Sequence, residues 1–446
     1  MVFLKKIRFL FRLALAFYKR WRKTIFLGLL LGISCYFLIP RLIPLIPTVK
    51  KTEKIGLVGQ FTVENLPNKI LNDISYGLTT LSSKGNPEPA LAEKWESLDG
   101  GKTFIFNIKT KNLFWHDGKA FALKDINYNF KDVDISIDEN KIAFSLKDPF
   151  APLPAILSKP LFKNGLIGLG NYKVKKIIKS GRFIKEIFLS SLLKDAPDKI
   201  YRFYKNESDL KIAFNLGEVD IIENIFDLNG FSLGKAVSVE ENIIKNVFVG
   251  IFFNNSKIPF KDKAFRQALA YSLTKPSGEE RALGPLNPDS WAYNPDVKPY
   301  NYDLLRAREL LEKEKESLNN LKIVISAFPQ YESIANQAKE DWKKLGIESE
   351  VRIVSFLPED FDVLIIAREI PEDPDQYYFW HSSQIEKGNN IAKYDNNRID
   401  KLLEDGRTTY SKEERKNIYF DFQRFLVEDS PVIFYSHPKA YTLIRK

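Results

Sequence analysis

Residues Pro89–Ile126 read PALAEKWESLDGGKTFIFNIKTKNLFWHDGKAFALKDI, and this stretch decides the fold. Asp99-Gly100-Gly101 is a turn signal, because glycine takes backbone conformations that are costly for other residues. Phe104, Phe106 and Ile108 follow at every second position, the period of a strand with one face buried. His116-Asp117-Gly118 is a second turn, and a helix start is expected near Lys124. The stretch therefore predicts two short strands with turn signals between them.

The whole chain has 446 residues, which suggests two or three domains. It is 44% hydrophobic and holds 34 Phe, ample material for packed cores. The formal charge of +10 does not point to nucleic acid, because of where it lies. Residues 1–51 hold eleven Lys and Arg and no acidic residue, whereas the remainder carries 56 basic and 57 acidic residues, a net of −1. The natural partner of such a basic N-terminus is a membrane surface.

Thr24–Ile39 is apolar and uncharged, and after Pro40 and Arg41 the apolar character resumes over Leu42–Ile46. The combined run is long enough to span a bilayer. Eight cations precede it, so the positive-inside rule places residues 1–23 in the cytoplasm, the anchor at 24–47 and the body outside. No small-residue cleavage site follows, and the reading is a retained anchor. Cys35 is the single cysteine and sits inside the apolar run; Gly32-Ile33-Ser34-Cys35 is a poor lipidation site. An intrachain disulfide is excluded.

The element order in Pro89–Ile126 resembles the N-terminal signature of the family 5 extracellular solute-binding proteins, the peptide, oligopeptide and nickel receptors of ABC importers. Further blocks follow in the family's order. Tyr76-Gly77-Leu78 loosely matches a turn that borders the ligand cleft in the family. Ile167-Gly168-Leu169-Gly170-Asn171-Tyr172 is read as a tight glycine turn, and Leu216-Gly217-Glu218-Val219-Asp220 as a helix end followed by a strand. Val247–Phe253 is an apolar strand, and Asp262 starts a helix whose buried face is Phe265, Ala268, Leu269 and Ser272. Pro259, Phe260, Asp262, Arg266, Ala268 and Leu269 all match the family. Tyr300, Tyr302, Asp303, Ala307, Leu310 and Leu311 form another block, with Asp303 as N-cap. Ser411 opens a capping box, and Arg415, Tyr419, Gln423 and Pro431 complete the last block. Leu321–Ser326, a helix carrying Ala338 and Trp342, and a strand over 347–354 give a β-α-β pattern.

The resemblance runs from about Ile55 to Tyr435 and implies an α/β, two-lobe, periplasmic-binding-protein-like fold (type II, cluster C-like). Lobe I is expected at 48–80, 168–245 and 434–446, and lobe II at 246–433. A reduced accessory subdomain is expected at 81–167, because the family's insert between Phe130 and Asp138 is nearly absent here.

The resemblance also implies where ligand is read. Peptide-binding relatives often anchor a free amine on a carboxylate three residues before an acid-Pro pair. Counting back from Asp373-Pro374 lands on Ile370, with Glu369 and Arg368 beside it. Tyr76, Trp115, Tyr377, Tyr378, Phe379 and Trp380 are candidate cleft walls, since binding pockets are largely apolar and aromatic. Trp291 and Tyr293 stand in a Pro/Asn-rich loop at the cleft border or on the surface.

No catalytic constellation appears. His116, His381 and His437 lack metal-ligand spacing, and neither a nucleophile elbow nor a P-loop is present. The chain is thus expected to be no enzyme, to need no cofactor or metal, and to be monomeric. Expected partners are a peptide or small polar solute, a separate permease and ATPase, and the lipid bilayer. The other class of function is a surface interaction or sensor module on the same scaffold.

Overall fold

The computed structural model describes residues 2–42, 50–312 and 321–446. The chain divides into two compact units, Met1–Lys51 and Thr52–Lys446. The first is the helix α1 (Val2–Leu42). No single helix among the described residues is long and apolar enough to cross a membrane. Leu15–Thr24 and Phe26–Leu38 meet that measure only together, bent by 53°. The end of the expected span, residues 43–47, lies outside the described residues.

The second unit opens with β1 (Thr52–Val58), shorter than the strand predicted over Ile55–Val63, and α2 (Asn68–Ile74). β2 (Thr79–Leu81) pairs with β3 (Pro87–Pro89). The decisive stretch forms β4 (Ala92–Glu96) and β5 (Thr103–Ile108), with Phe104, Phe106 and Ile108 on the buried face. The helix expected near Lys124 is a single 3-10 turn, Leu123–Asp125. In place of one strand over Asp138–Leu146 there is a hairpin of β6 (Val133–Asp138) and β7 (Lys141–Leu146), with Glu139 at φ 46° in its turn. The four strands order as β4-β5-β7-β6 over a core that includes Phe104, Phe106, Trp115 and Phe144.

After α3 (Leu153–Ile156) come β8 (Tyr172–Ser180), β9 (Phe183–Ser191), β10 (Asp198–Tyr204), α4 (Glu207–Asn215), β11 (Ile221–Ile225) and β12 (Val237–Ile243). Gly168 and Gly170 serve close approach rather than a special φ. A Cβ on Gly168 would lie 2.2 Å from the Ile74 carbonyl oxygen, and one on Gly170 would lie 2.7 Å from that of Asp73.

The chain then builds β13 (Val247–Phe253), α5 (Lys263–Ser272), α6 (Leu304–Leu311), β14 (Lys322–Ala327), α7 (Glu332–Lys343), β15 (Glu348–Ile353) and β16 (Val363–Glu369). The last elements are α8 (Tyr377–Trp380), α9 (Asn397–Thr408), α10 (Lys412–Asp429), β17 (Val432–Ser436) and β18 (Lys439–Arg445). Asp262, Asp303 and Ser411 cap α5, α6 and α10 by accepting from the backbone N–H groups of Phe265, Arg306 and Glu414. Each satisfies a donor that the helix leaves free. β14-α7-β15 is the expected parallel unit.

Two mixed sheets result. One orders as β12-β18-β11-β1-β10-β9-β8 and the other as β15-β14-β16-β13-β17. Among the described residues the chain passes between them twice, at 244–246 and at 437–438. The two passages are bonded to each other. Ile244 N–H donates to the Pro438 carbonyl (2.9 Å), and the His437 ring nitrogen Nδ1 lies 2.8 Å from the Val247 carbonyl oxygen. Because its partner is a carbonyl, Nδ1 carries the proton.

His437 is buried, and burial, together with nearby Lys245 and Arg281, holds its imidazole below the ordinary value of 6.5 despite its bond to Val247 and the charge of Asp289. Below about pH 6.5 the unfolded chain therefore binds more protons at this residue than the folded one. Its contribution to stability is complete above that pH and is lost as the pH falls. Urea unfolding should show a stability that drops on acidification through this window, with a shallower slope in His437→Gln. Equal slopes in the two proteins would contradict the assignment.

Candidate functional site

The topology fixes which ends of the strands meet. β11 and β12 both run antiparallel to β18, and β1 and β10 run parallel to β11. All four therefore end on the side of the crossings. In the other lobe β14, β15 and β16 are parallel, and Glu369 at the end of β16 lies opposite Val247 at the start of β13. Both lobes thus present strand C-terminal ends beside the crossings, where open α/β sheets hold ligands. Large apolar side chains stand in solvent there: Val58 and Phe226 on one lobe, Ile353, Phe356 and Leu357 on the other. Phe226 is 60% exposed and Phe356 78%. Sequence reasoning missed these residues. The signal was an apolar residue at or just past the end of a strand.

The segment after β7 and the turn between β2 and β3 touch the second lobe. Ala151 N–H donates to the Arg407 carbonyl (2.7 Å), and Trp291 N–H donates to the Lys84 carbonyl (3.1 Å). The Arg407 guanidinium lies 4.0 Å from the Tyr377 ring centre and 5.5 Å from that of Phe150, while its Nε donates to Asp375 (2.9 Å). Burial raises the Asp375 carboxyl above its ordinary value, with Arg407 opposing.

Of the predicted site residues, Arg368, Glu369, Phe379 and Trp380 line one depression, together with Phe248 and Phe252. Trp380 is buried and stacks on Phe252, ring centres 6.2 Å apart. Arg368 lies 4.4 Å over the Phe379 ring, and its hydrogen bond to the Asn389 carbonyl is long, at 3.5 Å. Burial pulls the Arg368 guanidinium below its ordinary value. Glu369 is exposed at the rim. Gln376, which sequence reasoning did not single out, lines the same depression. It is 2% exposed, and its Nε2 has no hydrogen-bond partner.

The other predicted residues do not line this depression. Tyr377 stacks on His381 at 4.0 Å, and Tyr378 is exposed and packs edge-on against Phe379. Ile370, expected at the anchor position, is instead buried in the second lobe's core, its N–H given to the Asn246 carbonyl (2.7 Å). Trp115, expected at a cleft wall, belongs to the core of the four-stranded layer, because Asp125 takes its indole N–H inside that layer (3.0 Å). Tyr76 is half-buried at the edge of the same core, and burial raises its phenol. Among the described residues no group of three or more His, Cys, Asp and Glu side chains is placed to hold a metal ion.

Asp373 is engaged within the second lobe rather than presented to a ligand. The Arg415 guanidinium on α10 binds it in bidentate fashion (2.6 and 3.0 Å) and also donates to the Gly406 carbonyl. Burial opposes the Arg415 charge, but Asp373 outweighs it and holds the guanidinium above its ordinary value. The pair ties the segment after β16 to α9 and α10.

The profile of the bacterial extracellular solute-binding proteins, family 5 (middle region), matches residues 131–389, more than half of the chain. The chain belongs to this family. The family 5 protein described here is 26% identical over 474 residues to the oligopeptide-binding protein AppA of Bacillus subtilis, covering 87% of this chain and 86% of that one. Among solved structures, NikZ of Campylobacter jejuni in complex with Ni(L-His) superposes with a TM-score of 0.74 at 23% identity, over 89% of this chain and 94% of NikZ. B. subtilis AppA in complex with a nonapeptide gives 0.67 at 22% identity, over 89% and 95%. These likenesses show the two-lobe α/β binding-protein fold.

Removing one partner of a buried ion pair leaves an uncompensated charge. Asp373→Ala should therefore lower the unfolding free energy by about 3–5 kcal/mol, read by urea denaturation. A loss below about 1 kcal/mol, the range of a surface pair, would contradict the role given to Arg415.

Proposed function

We propose that this protein is the membrane-anchored, extracytoplasmic solute-binding component of an ABC importer. It captures a peptide or similar small solute between lobes that close about the two crossings, and it catalyses nothing. The observation that carries the reading is the meeting of strand C-terminal ends beside those crossings, with Phe226 and Phe356 left in solvent there. The names of the relatives, an oligopeptide-binding protein and a structure holding a nonapeptide, support the solute class.

In this reading residues 24–47 anchor the chain, residues 1–23 stay in the cytoplasm, and the body works outside. The apolar run and the cations before it support the orientation. The first lobe comprises the seven-stranded sheet, the second the five-stranded one, and the four-stranded layer is the accessory subdomain. Translocation belongs to a separate permease and ATPase. Arg368, Glu369, Tyr377, Tyr378 and Trp380 border the ligand, joined by Val58, Phe226, Phe356 and Leu357. Glu369, exposed beside the buried Ile370, is the carboxylate available to a free amine.

All four hydrophobic clusters lie within residues 52–446, so the body can be studied alone. Native mass spectrometry of that body should show a co-purified solute, or a mass shift with a mixed peptide pool. Phe356→Asp, which places a charge on the apolar wall, should weaken retention at least tenfold without lowering the melting temperature. A body that stays empty against every pool favours the surface interaction or sensor module instead.

A further inference from the structure

The depression at Arg368 holds two donors with little to donate to. Gln376 is 2% exposed, and no hydrogen-bond partner meets its Nε2. Burying an amide without a partner costs about 1–3 kcal/mol, so such groups call for an explanation. Arg368 is half-buried and desolvated, makes no ion pair with any described carboxylate, and has only the long contact to Asn389. Its strand neighbour Glu369 stands exposed at the rim. Around the donors stand Phe248, Phe252, Phe379 and Trp380. The enclosed part is no larger than one small polar group, and the rest opens to solvent.

Deepening the solute-binding reading proposed above, we infer that this depression is a subsite for a carboxylate borne by an aromatic or apolar group of the solute. A carboxylate accepts from a guanidinium and an amide at once, and the fit is strongest where water is excluded. The ring it carries lies in the open part of the depression, beside the partly buried Phe379. Glu369 repels a second anion at the mouth and suits a cationic group further out. An amine in the inner position would instead lie against the Arg368 guanidinium, a like charge, at a half-buried site.

The test uses two probes with the same ring and opposite charge, phenylacetate and phenethylamine, on the body from residue 52. Phenylacetate should shift the Gln376 side-chain amide resonances in a nitrogen-15 spectrum. These are assigned by their loss in Gln376→Leu. Arg368→Gln should weaken phenylacetate at least tenfold while the backbone spectrum and melting temperature stay as in the parent. Phenethylamine should leave the Gln376 resonances in place. The inference is overturned if phenylacetate leaves them unmoved, if phenethylamine moves them equally, or if Arg368→Gln binds phenylacetate as well as the parent does. A retained solute in native mass spectrometry alongside such a failure would uphold the receptor and reject only the subsite. Phenylacetate binding in a body that captures no solute from any pool would do the reverse.

Discussion

Everything in this molecule depends on the way the chain crosses between its two sheets. The passages at 244–246 and 437–438 are neighbours, tied by Ile244 to Pro438 and by His437 to Val247. Two adjacent crossings leave one axis about which large lobes can turn, the geometry of hinge closure. The same arrangement points the parallel strands of both lobes toward that axis. A groove lined by strand ends follows from the topology. Val58, Phe226 and Phe356, at or just past the ends of their strands, stand exposed on that side.

Much of the fold was legible because local chemistry and packing agree. Asp262, Asp303 and Ser411 read as caps and are caps. Val247–Phe253 reads as a buried strand and is paired on both sides in the second sheet, between β16 and β17. The hairpin at β6 and β7 was read only in its second half. Val133, Ile135 and Ile137 alternate with polar residues as a strand should, yet Ile135 and Ile137 end up exposed at a sheet edge. The pattern marked a strand but could not mark a buried one. Gly168 and Gly170 were recognised as necessary, but for a different reason. The carbonyl groups that exclude a Cβ there come from α2, far away in sequence.

The site was less legible than the scaffold. Aromatic residues serve cores and ligands alike, and sequence does not separate Trp115, locked by Asp125, from Phe356, which nothing covers. Ile370 was found by counting, but its inward orientation is set by its bond to Asn246 across the crossing, a contact no local pattern encodes. Gln376 carried no motif. Its interest comes only from the burial of an amide whose nitrogen meets no acceptor.

The central claim is that solute is held between lobes that turn about these two crossings. Cys35 is the only cysteine and lies outside residues 52–446, so paired spin labels can be placed on the body without removing any residue. Labels at Lys205, just beyond β10, and Ser355, two residues beyond β15, sit on opposite lobes near the strand ends. Pulsed electron–electron resonance should show a shorter and narrower distance distribution when a mixed peptide pool is added to the solute-free body. A distribution that the pool leaves unchanged, in a body that native mass spectrometry shows to have taken up peptide, would contradict closure about this hinge.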